Sequence, residues 1–261
     1  MLDALQIAAT GMQAQQLHVD TIANNLANAS TPAFKRARVV FHDLVTHGLP
    51  STSAAAGGDD APLAPGQVQG VGVASVLRQF EAGELRRTDS PLDLAIQGEG
   101  FIEVLLADGS RAYSRGGSLK VNADGLLALA SGPVLSRQIT LPEGAPGLAI
   151  ETDGRVLARP QGAAKSLEYG QIELVRFASP TALVALGDGL YRASPESGEP
   201  IGGRMADEPV ATLRQGHLEA SNVKLVDEMV GLMVAQRAYE ASVKVAQAAD
   251  EMLGMVNGLR K

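Results

Sequence analysis

From Leu225, alternate steps of four and three residues reach Leu225, Met229, Leu232, Gln236, Tyr239, Val243, Ala246, Asp250 and Leu253. All but Gln236 and Asp250 are apolar or aromatic, and no proline interrupts the run. The spacing predicts one helix over 221–261 that lays a narrow stripe against another helix. Ser221 or Asn222 is placed to cap its start. Asp227 and Glu228 fall near the first turn, where the helix dipole favours negative charge. Such a helix draws its stability from packing rather than from propensity. The same step near the other end gives Leu5, Ala9, Met12, Gln16, Val19, Ala23 and Leu26, and stops where Asn28, Ser30 and Thr31-Pro32 supply turn chemistry. The two helices either close one domain on each other or tile with further copies of themselves. Gln16, Gln236 and Asp250 interrupt the stripes, where a polar residue sets register at a cost in stability.

Between the ends the period changes. Residues 34–44 are mostly apolar and basic, and 46–72 read as a loop insertion, with Gly57-Gly58-Asp59-Asp60 and several prolines. A β connector is expected over 73–90, a central antiparallel β domain over 91–200 and a return connector over 201–220. Short, partly alternating runs mark strands at 73–77, 92–96, 101–106, 112–114, 119–121, 126–129, 149–152, 156–159, 172–177 and 190–193. Asp108-Gly109, Asp124-Gly125, Asp153-Gly154 and Asp188-Gly189 predict hairpin turns. Strand follows strand without βαβ alternation, so no dinucleotide-binding sheet is expected. The fold class is α+β: N- and C-terminal helices in a coiled-coil-like layer, with a central antiparallel β domain.

Composition narrows the function. Five Phe, four Tyr and no Trp in 261 residues leave little for base-stacking platforms or aromatic-lined pockets. A net charge of −7 disfavours nucleic acid as a partner. Lys35, Arg36 and Arg38 form one short basic cluster, expected on a solvated face. With no cysteine, the chain relies on no disulfide. No apolar run approaches the roughly 18 residues of a membrane span. The first 17 residues hold Asp3, no Lys or Arg and only spaced apolar positions, which does not read as a secretory signal.

Nothing points to catalysis. His18, His42, His47 and His217 lack metal-ligand spacing, and His18 beside the N-terminal stripe reads as a helix-surface residue. Gly70-Val71-Gly72 and Gly98-Glu99-Gly100 precede no helix that would receive a phosphate. Asp89, Asp93 and Glu99 read as turn and surface residues, and no Gly-x-Ser-x-Gly elbow occurs. The chain reads as a non-enzyme with neither metal nor cofactor.

Ala23-Asn24-Asn25-Leu26-Ala27-Asn28, followed by Ser30-Thr31-Pro32-Ala33-Phe34-Lys35-Arg36, resembles the N-terminal signature of bacterial flagellar axial proteins, the rod, hook and hook-associated subunits. Ser221-Asn222-Val223, Val226-Asp227-Glu228-Met229 and Gln236-Arg237-Ala238-Tyr239-Glu240 resemble the C-terminal signature. Leu92-Asp93-Leu94-Ala95-Ile96-Gln97-Gly98-Glu99-Gly100-Phe101 is similar to the segment that opens the β domain in rod and hook subunits. Tyr113-Ser114-Arg115, Asp124-Gly125-Leu126 and Leu190-Tyr191 continue the likeness. The length fits a rod subunit better than a hook subunit, and the 46–66 insertion with Gln236-Arg237-Ala238-Tyr239-Glu240 resembles distal more than proximal rod subunits. Two positions depart from the family pattern. Gly116 replaces an Asp common before Gly-Ser, and Ala33 stands where Gly is usual, so no left-handed turn is expected at 33.

The resemblance implies a helical homopolymer around an export channel, with the terminal helices as inner layer and the β domain outside. It implies other rod and hook subunits at either end, periplasmic and outer-membrane ring proteins around the rod, and the flagellar export apparatus as further partners. It implies a place in the basal body, reached without a cleaved signal, and involves no nucleic acid or membrane insertion. The 46–66 insertion is expected to be ordered between subunits and to stiffen the tube. A monomeric binding or adhesion module, closed by its helix pair, is the alternative from a different class.

Overall fold

The computed structural model describes residues 2–46, 67–142, 147–160, 165–203 and 211–258. Residues 47–66, most of the expected insertion, lie outside the described residues, as does His47. The chain divides into two compact units: Met1–Ala27, Ala37–Leu77 and Lys224–Lys261 form one, Asn28–Arg36 and Arg78–Val223 the other.

In the first unit helix α1 (Leu2–Ala27) lies along helix α2 (Leu225–Gly258). Strand β1 (Ala37–Thr46) pairs with β2 (Gln67–Arg78). α2 opens with the Glu228 N–H donating to the Lys224 carbonyl at 3.0 Å, and Asp227 and Glu228 fall in its first turn. The expected caps are engaged elsewhere. The Ser221 hydroxyl accepts from the Val223 N–H at 3.3 Å, and Asn222 bonds to Arg36 and Gln79.

Residues 67–72, expected within the loop, begin β2 instead. Their glycines mark close approach rather than a turn. A Cβ on Gly70, at φ +133°, would lie 2.2 Å from Thr10 Oγ1, and one on Gly72 would lie 2.5 Å from the His42 ring. Glycine lets the strand backbone come that near a helix side chain and a neighbouring ring.

The second unit is antiparallel throughout its described pairings. All four Asp-Gly pairs turn hairpins: Phe101–Leu105 with Arg111–Ser114, Gly116–Val121 with Leu127–Leu129, Ala149–Ile150 with Arg155–Ala158, and Val184–Gly187 with Leu190–Arg192. The four glycines hold φ between +71° and +90°, the conformation such turns require. The stretches expected as connectors carry strands of their own. β3 (Leu85–Arg87) pairs with His217–Glu219, and β4 (Asp93–Gly98) pairs along its length with Ala211–Gln215. The core gathers Leu94, Ile96, Ile102, Val104, Leu127 and Leu213, all essentially inaccessible. Each such side chain contributes about 1.5–3 kcal/mol on burial. A second cluster sets Phe101, Tyr113, Phe177 and Tyr191 edge to face.

Candidate assembly interface

Three contacts fix how α1 meets α2. The Asn25 amide donates to Glu228 Oε2 at 3.1 Å. Ile22 Cδ1 lies 3.5 Å from where a Cβ on Gly231 would stand, and Ser242 Oγ lies at the same distance from that position on Gly11. Three residues back along α1 match three forward along α2, and a further eleven match eleven. The helices are antiparallel and keep one register. Ala8, Ala14, Ile22 and Asn25 are buried on one side, and Glu228, Ala235 and Ala249 on the other. Gly11, Gly231, Ala238 and Ser242 fall along the same line, half-buried. Side chains this small let the two backbones approach.

The stripes read from the sequence lie one residue further along each helix, about 100° around its axis. On α1, Leu5, Met12, Val19 and Leu26 are half-buried, while Ala9, Gln16 and Ala23 are exposed. On α2, Leu232, Val243, Ala246 and Leu253 are half-buried, while Leu225, Met229, Gln236, Tyr239 and Asp250 are exposed. The three polar interruptions therefore stand off the contact line within the chain. Shorter residues than those of the bulky stripes form that line. Their heptad recurrence at Gly231, Ala235, Ala238, Ser242 and Ala249 was the signal. On α2, Val226, Met229, Val230, Met233 and Val234 are 49–72% exposed. Their spacing gathers them into one apolar stripe open to solvent, and contiguous patches of this kind mark interaction sites.

Residues of the N-terminal signature fall in both units. Asn24 is exposed, but Asn25 is buried. Asn25 Oδ1 accepts from the Ala37 N–H at 2.8 Å, and Nδ2 donates to the Ala37 carbonyl at 2.9 Å. The side-chain amide thus pairs with the first residue of β1 as a strand would. In the β unit, the Thr31 hydroxyl meets Asn28 Oδ1 at 3.2 Å, closing the turn that ends α1. Ala33 takes the left-handed conformation not expected of it, at φ +57°. It is only 6% exposed, and its N–H donates to the Glu219 carbonyl at 2.7 Å. Tertiary contacts impose a conformation that alanine alone resists. Gly116 also has positive φ, and a Cβ there would lie 2.6 Å from the Leu94 carbonyl oxygen.

The basic cluster divides. Arg38 is exposed and Arg36 half-buried. Lys35, expected on a solvated face, is wholly buried, with Nζ 2.6 Å from Glu219 Oε1 and 2.8 Å from the Glu81 carbonyl. Arg115 adds a second cation, its Nε 3.5 Å from Glu219 Oε2 and its Nη1 donating to the Gly98 and Gly100 carbonyls. Glu219 Oε1 also accepts from the Gly83 N–H at 2.8 Å. Burial holds the Lys35 ammonium below the usual lysine value, and the Glu219 carboxylate opposes that shift. Arg78 lies over the Phe34 ring at 5.3 Å and donates to the Lys35 carbonyl. Glu219 stands 184 positions from Lys35, so no local pattern announces the pair.

The other candidates settle into structural places. His18 is half-buried, packed edge-on against Phe41, rather than on the helix surface. Asp93 is buried and accepts from the Ser118 hydroxyl at 2.7 Å, not exposed as expected, whereas Asp89 and Glu99 are exposed. Among the described residues no three metal-binding side chains gather, and no helix is long and apolar enough to cross a membrane.

Three family descriptions match these regions. Residues 5–35 match "Flagella basal body rod protein", 95–158 "Flagellar hook protein FlgE/F/G D1 domain", and 214–259 "Flagellar basal body rod FlgEFG protein C-terminal". Over 268 aligned residues, covering both chains completely, the sequence is 40% identical to flagellar basal-body rod protein FlgG of Borreliella burgdorferi. The chain belongs to the flagellar basal-body rod protein family. The FlgG of Caulobacter vibrioides is 38% identical over 99% of this chain and all of that one. The basal-body rod protein FlgF of Salmonella typhimurium is 31% identical over 99% of this chain and 98% of its own. In this family member the first match covers α1 from residue 5 onward, with Asn25 and Lys35, and the last spans Glu219, Asn222 and α2.

Proposed function

We propose that this basal-body rod protein is a structural subunit of the distal rod, without catalytic activity. Copies stack helically around an export channel, the terminal helices form the inner layer, and the β unit forms the outer one. The resulting tube is the driveshaft that carries motor torque to hook and filament. Proximal rod and hook subunits meet it at its ends, ring proteins surround it in the periplasm and outer membrane, and the flagellar export apparatus delivers the chain. The exposed stripe Val226, Met229, Val230, Met233 and Val234 carries this reading. A soluble monomer gains nothing from five large apolar side chains in one line, whereas a neighbouring copy buries them. The likeness to FlgG relatives at 33–40% identity, against 31% for FlgF, supports the distal over the proximal position.

The stripe can be tested without disturbing the contact between α1 and α2. Val226→Asp combined with Met233→Asp lies on the solvent side, where substitutions usually change stability by no more than about 0.5 kcal/mol each. The purified variant is expected to keep the helical circular dichroism of the wild type. In a strain lacking the native subunit it is expected to yield neither rods nor motility. Normal rods built from this variant would overturn the proposal.

A further inference from the structure

The chain passes between its two compact units four times, at 27–28, 36–37, 77–78 and 223–224. Within the β unit, the ends of three of these crossings are bonded to one another. Asn222 Oδ1 accepts from the Arg36 N–H at 2.7 Å, and its Nδ2 donates to the Gln79 carbonyl at 2.8 Å and the Glu81 carbonyl at 3.2 Å. One side chain thereby uses its acceptor and both donors on two other segments. The Gln79 N–H donates to the Arg36 carbonyl at 2.9 Å, and Arg78 Nη1 donates to the Lys35 carbonyl at 3.0 Å. Immediately beside them, Lys35 and Glu219 bury their ion pair, and Gly83 runs so close to the Ala220 carbonyl that a Cβ would stand 2.0 Å from it. The residue that the sequence suggests as a helix cap joins its own segment to two others instead.

We propose that Asn222 is a positioning residue that laces these three crossings into one body. Load passing along the chain between the helices and the β unit is then shared by three joined segments instead of being carried by separate linkers. The load-bearing role rests on the distal-rod reading, but the lacing itself does not. A single crossing can twist about its own soft backbone dihedrals. Three crossings tied side by side at Arg36, Gln79 and Asn222 twist only together.

The test uses the full chain. In amide exchange on the purified protein, Asn222→Ala is expected to speed exchange at Arg36 and over 79–81 by roughly three- to tenfold, the effect of about one net hydrogen bond lost at each group that Asn222 serves. The 94–104 core is expected to exchange as in the wild type. Asn222→Asp keeps the acceptor for the Arg36 N–H and loses both donors, so it should free 79–81 while leaving Arg36 protected. If Asn222→Ala also loosens the core, this second variant decides. Unchanged exchange over 79–81 in both variants would overturn the lacing, whatever the rod reading. In cells, rods of Asn222→Ala are expected to assemble and to lose swimming speed increasingly as the medium is made viscous. Faster exchange with undiminished swimming under load would overturn load sharing. Failure of the wild-type chain itself to restore rods would instead count against the distal-rod reading.

Discussion

Lys35 and Glu219 place opposite charges 2.6 Å apart with almost no solvent access, and removing either takes from the other its closest countercharge. Lys35→Met leaves Glu219 to Arg115 and the Gly83 N–H, and is expected to cost about 3–5 kcal/mol. The readout is a lower urea midpoint at unchanged slope. Adding Glu219→Gln should recover part of the loss. Ala33 poses a backbone problem rather than a charge problem. At φ +57° a β-branched side chain is strained, so Ala33→Val is expected to lower stability by about 1–3 kcal/mol in the same melt. Tyr191 gives the pH dependence. Burial pushes its phenol above the usual 10.0, against the pull of Arg78 and Arg115. The folded chain therefore holds that proton more tightly than the unfolded one. The stabilisation is complete below pH 10 and is lost as pH rises through the folded value. Lys35 runs the other way: its lowered value makes stability rise as pH climbs from the folded value toward 10.5. Tyr191→Phe is expected to flatten the fall in stability above pH 10 relative to the wild type, measured by urea melts across that range.

At the scale of elements, the packing of α1 on α2 turns on side-chain size along one line. At Gly11 and Gly231 an added methyl meets only ordinary contacts at 3.5 Å. Gly11→Ala and Gly231→Ala are each expected to stabilise by about 0.5–1 kcal/mol, because alanine loses less backbone entropy in a helix. Gly231→Leu drives a full side chain into Ile22 and should instead cost about 1–3 kcal/mol. Thermal melts of the three variants check that reversal of sign. The hairpins differ from the helix seam in where their information sits. An Asp-Gly turn is settled by two adjacent residues, and all four such turns formed where the dipeptides stand. Strand β2 was partly hidden because Gly70 and Gly72 signal a loop locally, yet here they admit Thr10 and the His42 ring.

At the scale of the whole molecule, the short segment Asn28–Arg36 belongs with the β unit although it directly continues α1. A fragment 78–223 lacks Ala33 and Lys35, so Glu219 keeps Arg115 but loses the closer of its two buried cations. It is expected to be at least about 3 kcal/mol less stable than a fragment 28–223, by urea denaturation of the two side by side. The sequence by itself determined the two terminal helices, the antiparallel β region and its four hairpins, and the membership that its end signatures suggest. Each of these rests on periodicity or on adjacent residues, which act before any distant contact exists. It also carried the small-residue line, at the same heptad spacing but one position earlier than the bulky stripe. Only the tertiary structure decided which of those two lines the helices share, because that depends on how closely two backbones approach. Only it placed Lys35 against Glu219, turned Ala33 left-handed, and drew Asn222 from the helix start to Arg36, Gln79 and Glu81. These are pairings between segments far apart in the chain, and the energy that selects them exists only once burial has removed the water that would otherwise serve each partner.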